Sequence, residues 1–163
     1  MKKIKPSWLN LGCAKTLKQG LDELYILNPE IKKTSDRAGK LFFDHDLTHI
    51  IFGADAKLDH EILLDYYTLF GTEISWKKMK EYFNNPEIKV ISKQIFEKKG
   101  FLKFFIFYYP SFFLKIIKVI IQAKRMKKKW PFENVSQKML NSSIIDLREE
   151  YGIKRTVNSF FLN

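Results

Sequence analysis

Two histidines and two carboxylates lie close together in this chain, at His45, Asp46, His49 and Glu61. On a helix, residues four apart are separated by about 40° around the axis, so His45 and His49 project side by side. Asp46 lies about 60° from His49, at the edge of the same face. Imidazole and carboxylate are the ligands that borderline divalent ions such as Zn²⁺ prefer. A metal bound by all four side chains would therefore constrain how this part of the chain folds.

Glu61 reaches the histidines only if the chain folds back on itself. In an unbroken helix, the twelve residues after His49 would place it about 18 Å away, whereas a ligand oxygen lies about 2 Å from its metal. Residues 53–55 (Gly-Ala-Asp) supply a turn between them. We therefore predict a helical hairpin clamped by the metal, with Glu61 in the second turn of the second helix, opposite the histidines.

Two further polar residues lie near Glu61. His60 points about 100° away from it on a helix, so we expect a solvated side chain and not a fifth ligand. Asp65 follows one turn later, where it either supports a ligand imidazole from behind or lies on the surface.

The rest of the chain has the hydrophobic period of helices and almost no alternating, β-branched-rich runs. We predict an all-α, single-domain bundle of about seven helices over residues 1–163, with a loosely ordered N-terminal extension at 1–13. Ser35 or Asp36 is expected to cap the histidine helix, and Asp55 the helix after it. The expected helix ends are at Asn28, Gly53, Gly71, Asn84, Gly100 and Gly152.

The net charge of +11 is unevenly distributed. Residues 98–132 contain ten Lys and Arg residues and no Asp or Glu. Such a stretch favours an anionic partner, either phospholipid or nucleic acid, and the alternative is a solvated helical face. No nucleic-acid-binding module is visible, so we expect no nucleic-acid partner. Cys13 is the single cysteine, which excludes a disulfide framework within the chain and a cysteine-based zinc site.

An aromatic-rich segment lies within this basic stretch. Eight aromatic residues fall in 101–113, and lysines follow them. This composition is typical of a helix that lies on anionic lipid, although the aromatics alternatively fill the core of the bundle. The charge-free run 104–114 is shorter than the roughly 20 residues that span a bilayer. We therefore expect a peripheral location on the cytoplasmic, inner face of a membrane. A mitochondrial location is disfavoured because the N-terminus lacks arginine.

Other metal chemistries share parts of the pattern. HD-type phosphohydrolases need a further histidine upstream, and none precedes His45. Zincin proteases have glutamate between their two histidines, where this chain has the shorter Asp46. They also bind a peptide along an edge strand, and no strand is evident here.

The spacing H-D-x-x-H-x₁₁-E, which His45, Asp46, His49 and Glu61 meet without a departure, resembles the signature of the fourth coenzyme Q biosynthesis protein, the Coq-four family. Residues 43–53 (FDHDLTHIIFG) resemble the metal-binding helix of that family. Residues 130–131 (Trp-Pro) and 147–153 (LREEYGI) resemble its C-terminal end. The resemblance extends over about residues 16–154.

This resemblance implies an all-α protein that binds Zn²⁺ through the four named residues, although Fe²⁺ and Mn²⁺ also suit two histidines and two carboxylates. It implies a part in making ubiquinone, either by removing the C1 carboxyl of a prenylated ring with hydroxylation of that carbon, or by organising the other biosynthetic enzymes without catalysis. The implied partners are a polyprenylated quinone precursor, an anionic membrane surface and other quinone-biosynthesis proteins. The resemblance is also compatible with a homodimer.

Overall fold

The computed structural model describes residues 5–86, 89 and 109–162. These residues form eight α-helices and no β-strand, which confirms the all-α prediction and comes close to its helix count. The helices are α1 (Leu17–Leu27), α2 (Pro29–Ala38), α3 (Lys40–Phe52), α4 (Leu58–Gly71), α5 (Trp76–Asn84), α6 (Tyr109–Lys124), α7 (Gln137–Asn141) and α8 (Ile144–Tyr151). Two short 3₁₀ helices, Ser7–Leu9 and Val157–Phe160, lie near the two ends.

Two of the sequence predictions, the helix that ends at Gly100 and the aromatic-rich segment, fall largely outside the described residues. Most of the predicted helix that ends at Gly100 and the aromatic residues at positions 101–108 lie outside the described residues. Within the described residues, no helix is both long enough and apolar enough to cross a membrane.

Several helix ends follow local capping rules. Ser75 and Ser143 cap α5 and α8 by accepting hydrogen bonds from the backbone N–H groups of Lys78 and Asp146, each at 3.2 Å. Gly152 ends α8 in the left-handed conformation, as predicted.

The predicted caps of the two hairpin helices are wrong. Ser35 and Asp36 lie inside α2, and α3 begins only after Gly39, whose φ of 79° separates the two helices. Asp55 does not cap α4, because its carboxylate pairs with the ammonium of Lys57 at 2.6 Å and accepts from a neighbouring backbone N–H instead. Lys57 precedes α4 without a side-chain cap.

The expectation of a loose N-terminal extension at 1–13 is wrong for the described part of that segment. Trp8 is fully buried, and its indole Nε1–H donates to the carbonyl of Ala54 at 2.9 Å. Leu9 and Cys13 are buried with it in the main hydrophobic core. Burying an indole removes a large apolar area from water, and this stabilises the segment against the turn that follows α3.

The turn of the hairpin depends on Gly53. Its φ of 65° and ψ of 52° are left-handed, and its N–H closes the end of α3 on the carbonyls of His49 and Ile50. A Cβ at this position would lie 2.6 Å from the side chain of Thr156, so only glycine fits. The predicted end of the histidine helix is therefore confirmed.

One buried cation connects three separate parts of the fold. Arg148 on α8 is 1% exposed, and its guanidinium donates hydrogen bonds to five backbone carbonyls. These carbonyls belong to Trp8, Asn10, Leu11, Ile50 and Ile51. Burial lowers the pKa of Arg148 to about 10, which still leaves it charged at neutral pH.

We expect Arg148→Lys to lower the free energy of unfolding by on the order of 3 kcal/mol, because an ammonium has three donors and cannot reach all of these carbonyls. Urea unfolding followed by circular dichroism measures the change. Arg125→Lys is the matched control, since Arg125 is exposed on the surface. Equal, small effects of the two substitutions would contradict this role of Arg148.

Candidate metal centre

Three of the four predicted ligands meet where α3 faces the first turn of α4. His49 Nε2 lies 3.2 Å from Glu61 Oε1, and His45 Nε2 lies 3.9 Å from Glu61 Oε2. One ligand atom from each residue lies within 4.8 Å of the others. Glu61 is in the first and not the second turn of α4, because the loop after Gly53 continues to Lys57 before the helix begins.

The geometry and chemistry of this group fit a divalent metal ion. Ligand atoms that are about 2 Å from a tetrahedral ion lie about 3.4 Å from each other. The two imidazole-to-carboxylate distances, 3.2 and 3.9 Å, are on either side of that value. Two imidazoles and one carboxylate also form the protein ligand set of many catalytic zinc sites, which keep one position open. The identity of the metal does not follow from this geometry.

Asp46 lies behind His45 and outside this group of three. Its Oδ1 is 3.9 Å from His45 Nδ1, on the opposite side of the imidazole ring from Glu61. Its Oδ2 accepts a hydrogen bond of 2.9 Å from the hydroxyl of Tyr25. In metal sites a carboxylate on this side of a ligand imidazole accepts a hydrogen bond from its other nitrogen, and the 3.9 Å separation here is longer than such a bond. Direct ligation by Asp46 stays a prediction.

His49 and Glu61 form a charged pair when no metal is bound. Burial alone would lower the pKa of His49, but the Glu61 carboxylate beside it raises this pKa to about 9. Burial alone would raise the pKa of Glu61, and the nearby His49 lowers it below its usual value. His49 Nδ1 is buried, and it has no hydrogen-bond partner within the described part of the chain.

Burial shifts the pKa values of two further residues beside the centre, Asp65 and Tyr82. Burial raises the pKa of Asp65 to about 7; the imidazole of His45 acts against this shift, and the charge of Glu61 adds to it. Burial also raises the pKa of Tyr82 well above 10, with a further contribution from Asp65. Asp65 is half-buried. Half-burial fits both alternatives, so the supporting role of Asp65 behind a ligand imidazole stays a prediction.

His60 is not solvated, so this expectation is wrong. The residue is 4% exposed, and its ring stacks on Phe161 with ring centroids 4.4 Å apart. Its Nδ1 accepts a hydrogen bond from the backbone N–H of Asp55 at 3.0 Å. The residue lies outside the group of three ligands, and Phe161 of the C-terminal segment covers it.

Sequence reasoning missed Tyr82, which touches the centre directly. Its hydroxyl lies 3.1 Å from His45 Nε2, and the two rings stack with centroids 4.8 Å apart. The available signal was weak: Tyr82 shares the buried face of α5 with Met79, three residues earlier. This pattern predicts burial but not the partner.

The chain matches no protein-family model, no curated protein and no solved structure. The functional argument therefore depends on the ligand geometry and on the spacing of the four residues. Chemically, the group is able to hold a divalent ion between two buried imidazoles and a carboxylate that is partly accessible to solvent. A metal ion held in this way would leave an open position at which an anionic oxygen is able to bind.

We expect the free energy of unfolding of the metal-free protein to fall by on the order of 3 kcal/mol as the pH rises from about 6.5 to about 9. His49 titrates near 6.5 in the unfolded chain and at about 9 in the folded protein. Because its folded pKa is the higher one, its pairing with Glu61 stabilises the protein fully below the unfolded pKa. This contribution is lost as the pH passes through the folded value.

Urea unfolding across this pH range, in the presence of a chelator, measures the decline. His49→Gln is the control, because glutamine keeps a polar side chain but carries no titrating proton. An equally steep decline in the variant would contradict the assignment of this pH dependence to His49.

Proposed function

We propose that the protein is a metal-dependent enzyme of ubiquinone biosynthesis that acts at a membrane surface. Its substrate would be a polyprenylated benzoate, whose C1 carboxyl leaves as CO₂ while a hydroxyl takes its place. This exchange is a two-electron oxidation, so it would also consume an external oxidant such as O₂, which would supply the hydroxyl oxygen. The observation that supports this proposal is the convergence of His45, His49 and Glu61, which occupy their positions in the H-D-x-x-H-x₁₁-E pattern. Zn²⁺ is the expected ion, with Fe²⁺ and Mn²⁺ as alternatives.

The residues of the centre have distinct parts in this proposal. His45, His49 and Glu61 would hold the ion, which supplies positive charge for a ring carboxylate or phenolate and for the charge that develops as CO₂ leaves. Asp46, whose Oδ1 lies 3.9 Å from His45 Nδ1, would help to orient this imidazole electrostatically. The two histidines are 7% and 1% exposed, so the protein excludes most water from this side of the centre. The Glu61 side chain is 31% exposed, and substrate would approach from there.

A membrane-facing surface is the second element of the proposal. On α6, Leu114, Ile117 and Ile121 are 62%, 37% and 43% exposed and lie along one face. A helix on the surface of a globular protein usually exposes polar residues instead. Lys118 and Arg125 border the apolar face and are exposed. Apolar side chains flanked by cations complement an anionic phospholipid surface.

A non-catalytic scaffold that binds lipid and organises other quinone-biosynthesis enzymes is the second candidate. The observation that favours it is that the ligands come from the two helices of one hairpin. A metal bound there would also fasten α3 to α4, and a purely structural ion would use the same side chains.

We expect deletion of the gene to lower ubiquinone and to accumulate a C1-carboxylated prenylated precursor. Reintroduced His49→Ala should leave ubiquinone at least about tenfold below wild type, since even outer-shell changes at metal sites cost 10- to 100-fold. Quinone profiling by mass spectrometry, with metal analysis of the purified variants, measures both effects. His60→Gln is the matched control, because His60 lies on the same helix as Glu61 but outside the ligand group.

The outcomes separate the candidates. Accumulation of the carboxylated precursor in both the deletion strain and the His49→Ala strain supports catalysis. Loss of ubiquinone without that precursor, restored by His49→Ala, favours the scaffold. Normal ubiquinone in the deletion strain would rule out the pathway, and equal, negligible metal content in wild type and His49→Ala would remove the metal centre.

For the membrane surface, we expect the protein to float with vesicles that contain anionic phospholipid and to float several-fold less with neutral ones. Leu114→Glu should reduce flotation, because it places a carboxylate in the apolar face of α6. The matched control is Ile26→Glu on α1, where the native side chain is 77% exposed. Absence of binding to either kind of vesicle, or equal loss in both variants, would contradict this docking surface.

A further inference from the structure

Four lysines line a cavity at the C-terminal ends of α4 and α6. The cavity has a volume of about 390 Å³, and ligand pockets in proteins commonly have volumes of about 300 to 1,000 Å³. No Asp or Glu is among the described residues that line it. We call it the lysine cavity; its lysines are Lys124, Lys127, Lys128 and Lys129, and Phe70 and Met126 supply apolar walls.

The backbone that carries three of these lysines is fixed from two sides. The N–H of Lys127 donates to the carbonyl of Tyr151 at 2.9 Å, and a Cβ on Gly152 would lie only 2.7 Å from the Lys127 nitrogen. On the other side, the N–H of Trp130 donates to the carbonyl of Gly71 at 2.9 Å, and the Trp130 side chain is fully buried. The loop 125–129 is therefore clamped between the ends of α8 and α4. A ligand would have to order only the lysine side chains, which lowers the cost of binding.

Two of the four ammonium groups already have partners on α8. Lys127 Nζ donates to the backbone carbonyl of Glu149 at 3.0 Å, and Lys128 pairs with the carboxylate of Glu150. A backbone carbonyl carries no net charge, so only the charge of Lys128 is balanced by its partner. The cavity therefore keeps an excess of positive charge.

Lys124 and Lys129 have no carboxylate partner within the described part of the chain. Both side chains are exposed, and the ammonium of Lys124 lies 5.8 Å from the ring centroid of Phe70. Cations that line one cavity repel each other and create a positive potential, which a bound anion would lower. A phosphate monoester carries a charge of about −1.5 to −2 at pH 7 and has three acceptor oxygens. It therefore matches two unpaired lysines in charge and in hydrogen bonding.

The apolar face of α6 ends at this cavity. Ile121 is 43% exposed and lies three residues before Lys124, within about 60° of it around the helix axis. Phe70 and Met126 continue the apolar surface up to the lysines. A phosphate that is attached to an apolar group would thus contact surface of the matching kind with both of its parts.

We propose that the lysine cavity is a binding site for a phosphate monoester, which Lys124 and Lys129 hold beside the apolar walls of Phe70 and Met126. The site goes beyond the proposed function, because it needs neither the metal centre nor a quinone precursor. The phosphate belongs either to the headgroup of a lipid, of which phosphatidic acid is the simplest, or to a soluble compound. Both sources share the chemistry that the cavity recognises, and separate measurements distinguish them.

For the lipid source, flotation compares vesicles that contain phosphatidic acid with vesicles of equal surface charge that contain phosphatidylserine, whose phosphate is a diester. We expect wild type to bind the phosphatidic acid vesicles several-fold more tightly. Lys124→Gln combined with Lys129→Gln should weaken this binding about 10- to 30-fold and remove the preference, because a lysine near an anionic surface contributes about a factor of five. The matched control combines Lys77→Gln and Lys80→Gln, which remove the same charge from exposed lysines of α5 outside the cavity. It should keep the preference.

For the soluble source, nitrogen-15 NMR follows the backbone signals of residues 125–130 during titration with inorganic phosphate at low ionic strength. We expect shifts that saturate and that sodium chloride at equal ionic strength does not reproduce, because a diffuse ion atmosphere gives no saturation. The Lys124 and Lys129 double variant should lose these shifts, and the Lys77 and Lys80 control should keep them.

The two double variants decide the outcome. A loss confined to the Lys124 and Lys129 variant in either measurement supports the site, and the measurement that responds identifies the source of the phosphate. Equal behaviour of the two variants in both measurements would overturn the proposal, since solvated lysines that interact only with the helix ends give that result. A chelator is present throughout, so failure of the metal centre would leave both measurements unchanged. All four substituted side chains are exposed, so both variants should fold.

Discussion

The guanidinium of Arg148 is the interaction on which the geometry of the candidate site depends. A buried cation is costly unless its donors are satisfied, and here five backbone carbonyls satisfy them. Two of those carbonyls, from Ile50 and Ile51, follow directly after His49 in the last turn of α3. A positive charge at the C-terminal end of a helix also interacts favourably with the helix dipole. Arg148 therefore holds the end of α3 in the place from which the chain turns toward Glu61.

The turn transmits this constraint to the ligands. Gly53 is enclosed by Thr156 and by Arg148 itself, so the backbone leaves α3 along one path. Asn158 adds a hydrogen bond from its backbone N–H to the carbonyl of Gly53, at 3.0 Å. As a result, the C-terminal segment and the N-terminal Trp8 both pack around the turn, and α4 starts where Glu61 meets His49. Residues far from the centre in sequence thus determine the distance between its two halves.

The sequence predicted those features that depend on local pattern. Glycine at position 53 and the spacing of His49 and Glu61 were enough to predict a hairpin, because a helix end and a reversal are local properties. Contacts between distant segments were not predictable in the same way. Tyr82 reaches His45 from α5, and the ring of Phe161 covers His60. The position of Asp46 behind His45 depends on side-chain rotamers, and helical spacing alone does not distinguish a ligand from its support.

Apart from buried His49 Nδ1, the polar atoms of the candidate metal centre have partners within the described part of the chain, which would separate folding from metal binding. Glu61 pairs with His49, and Tyr82 pairs with His45, so the polar atoms that face the metal position are not left without partners. The main hydrophobic core contains residues from Trp8 to Phe160 and does not depend on the ion. A zinc finger, in contrast, remains unfolded without its metal. A metal ion bound at this group would have to displace the proton that His49 shares with Glu61, so this internal pairing would reduce the apparent affinity of a site whose side chains are already in place.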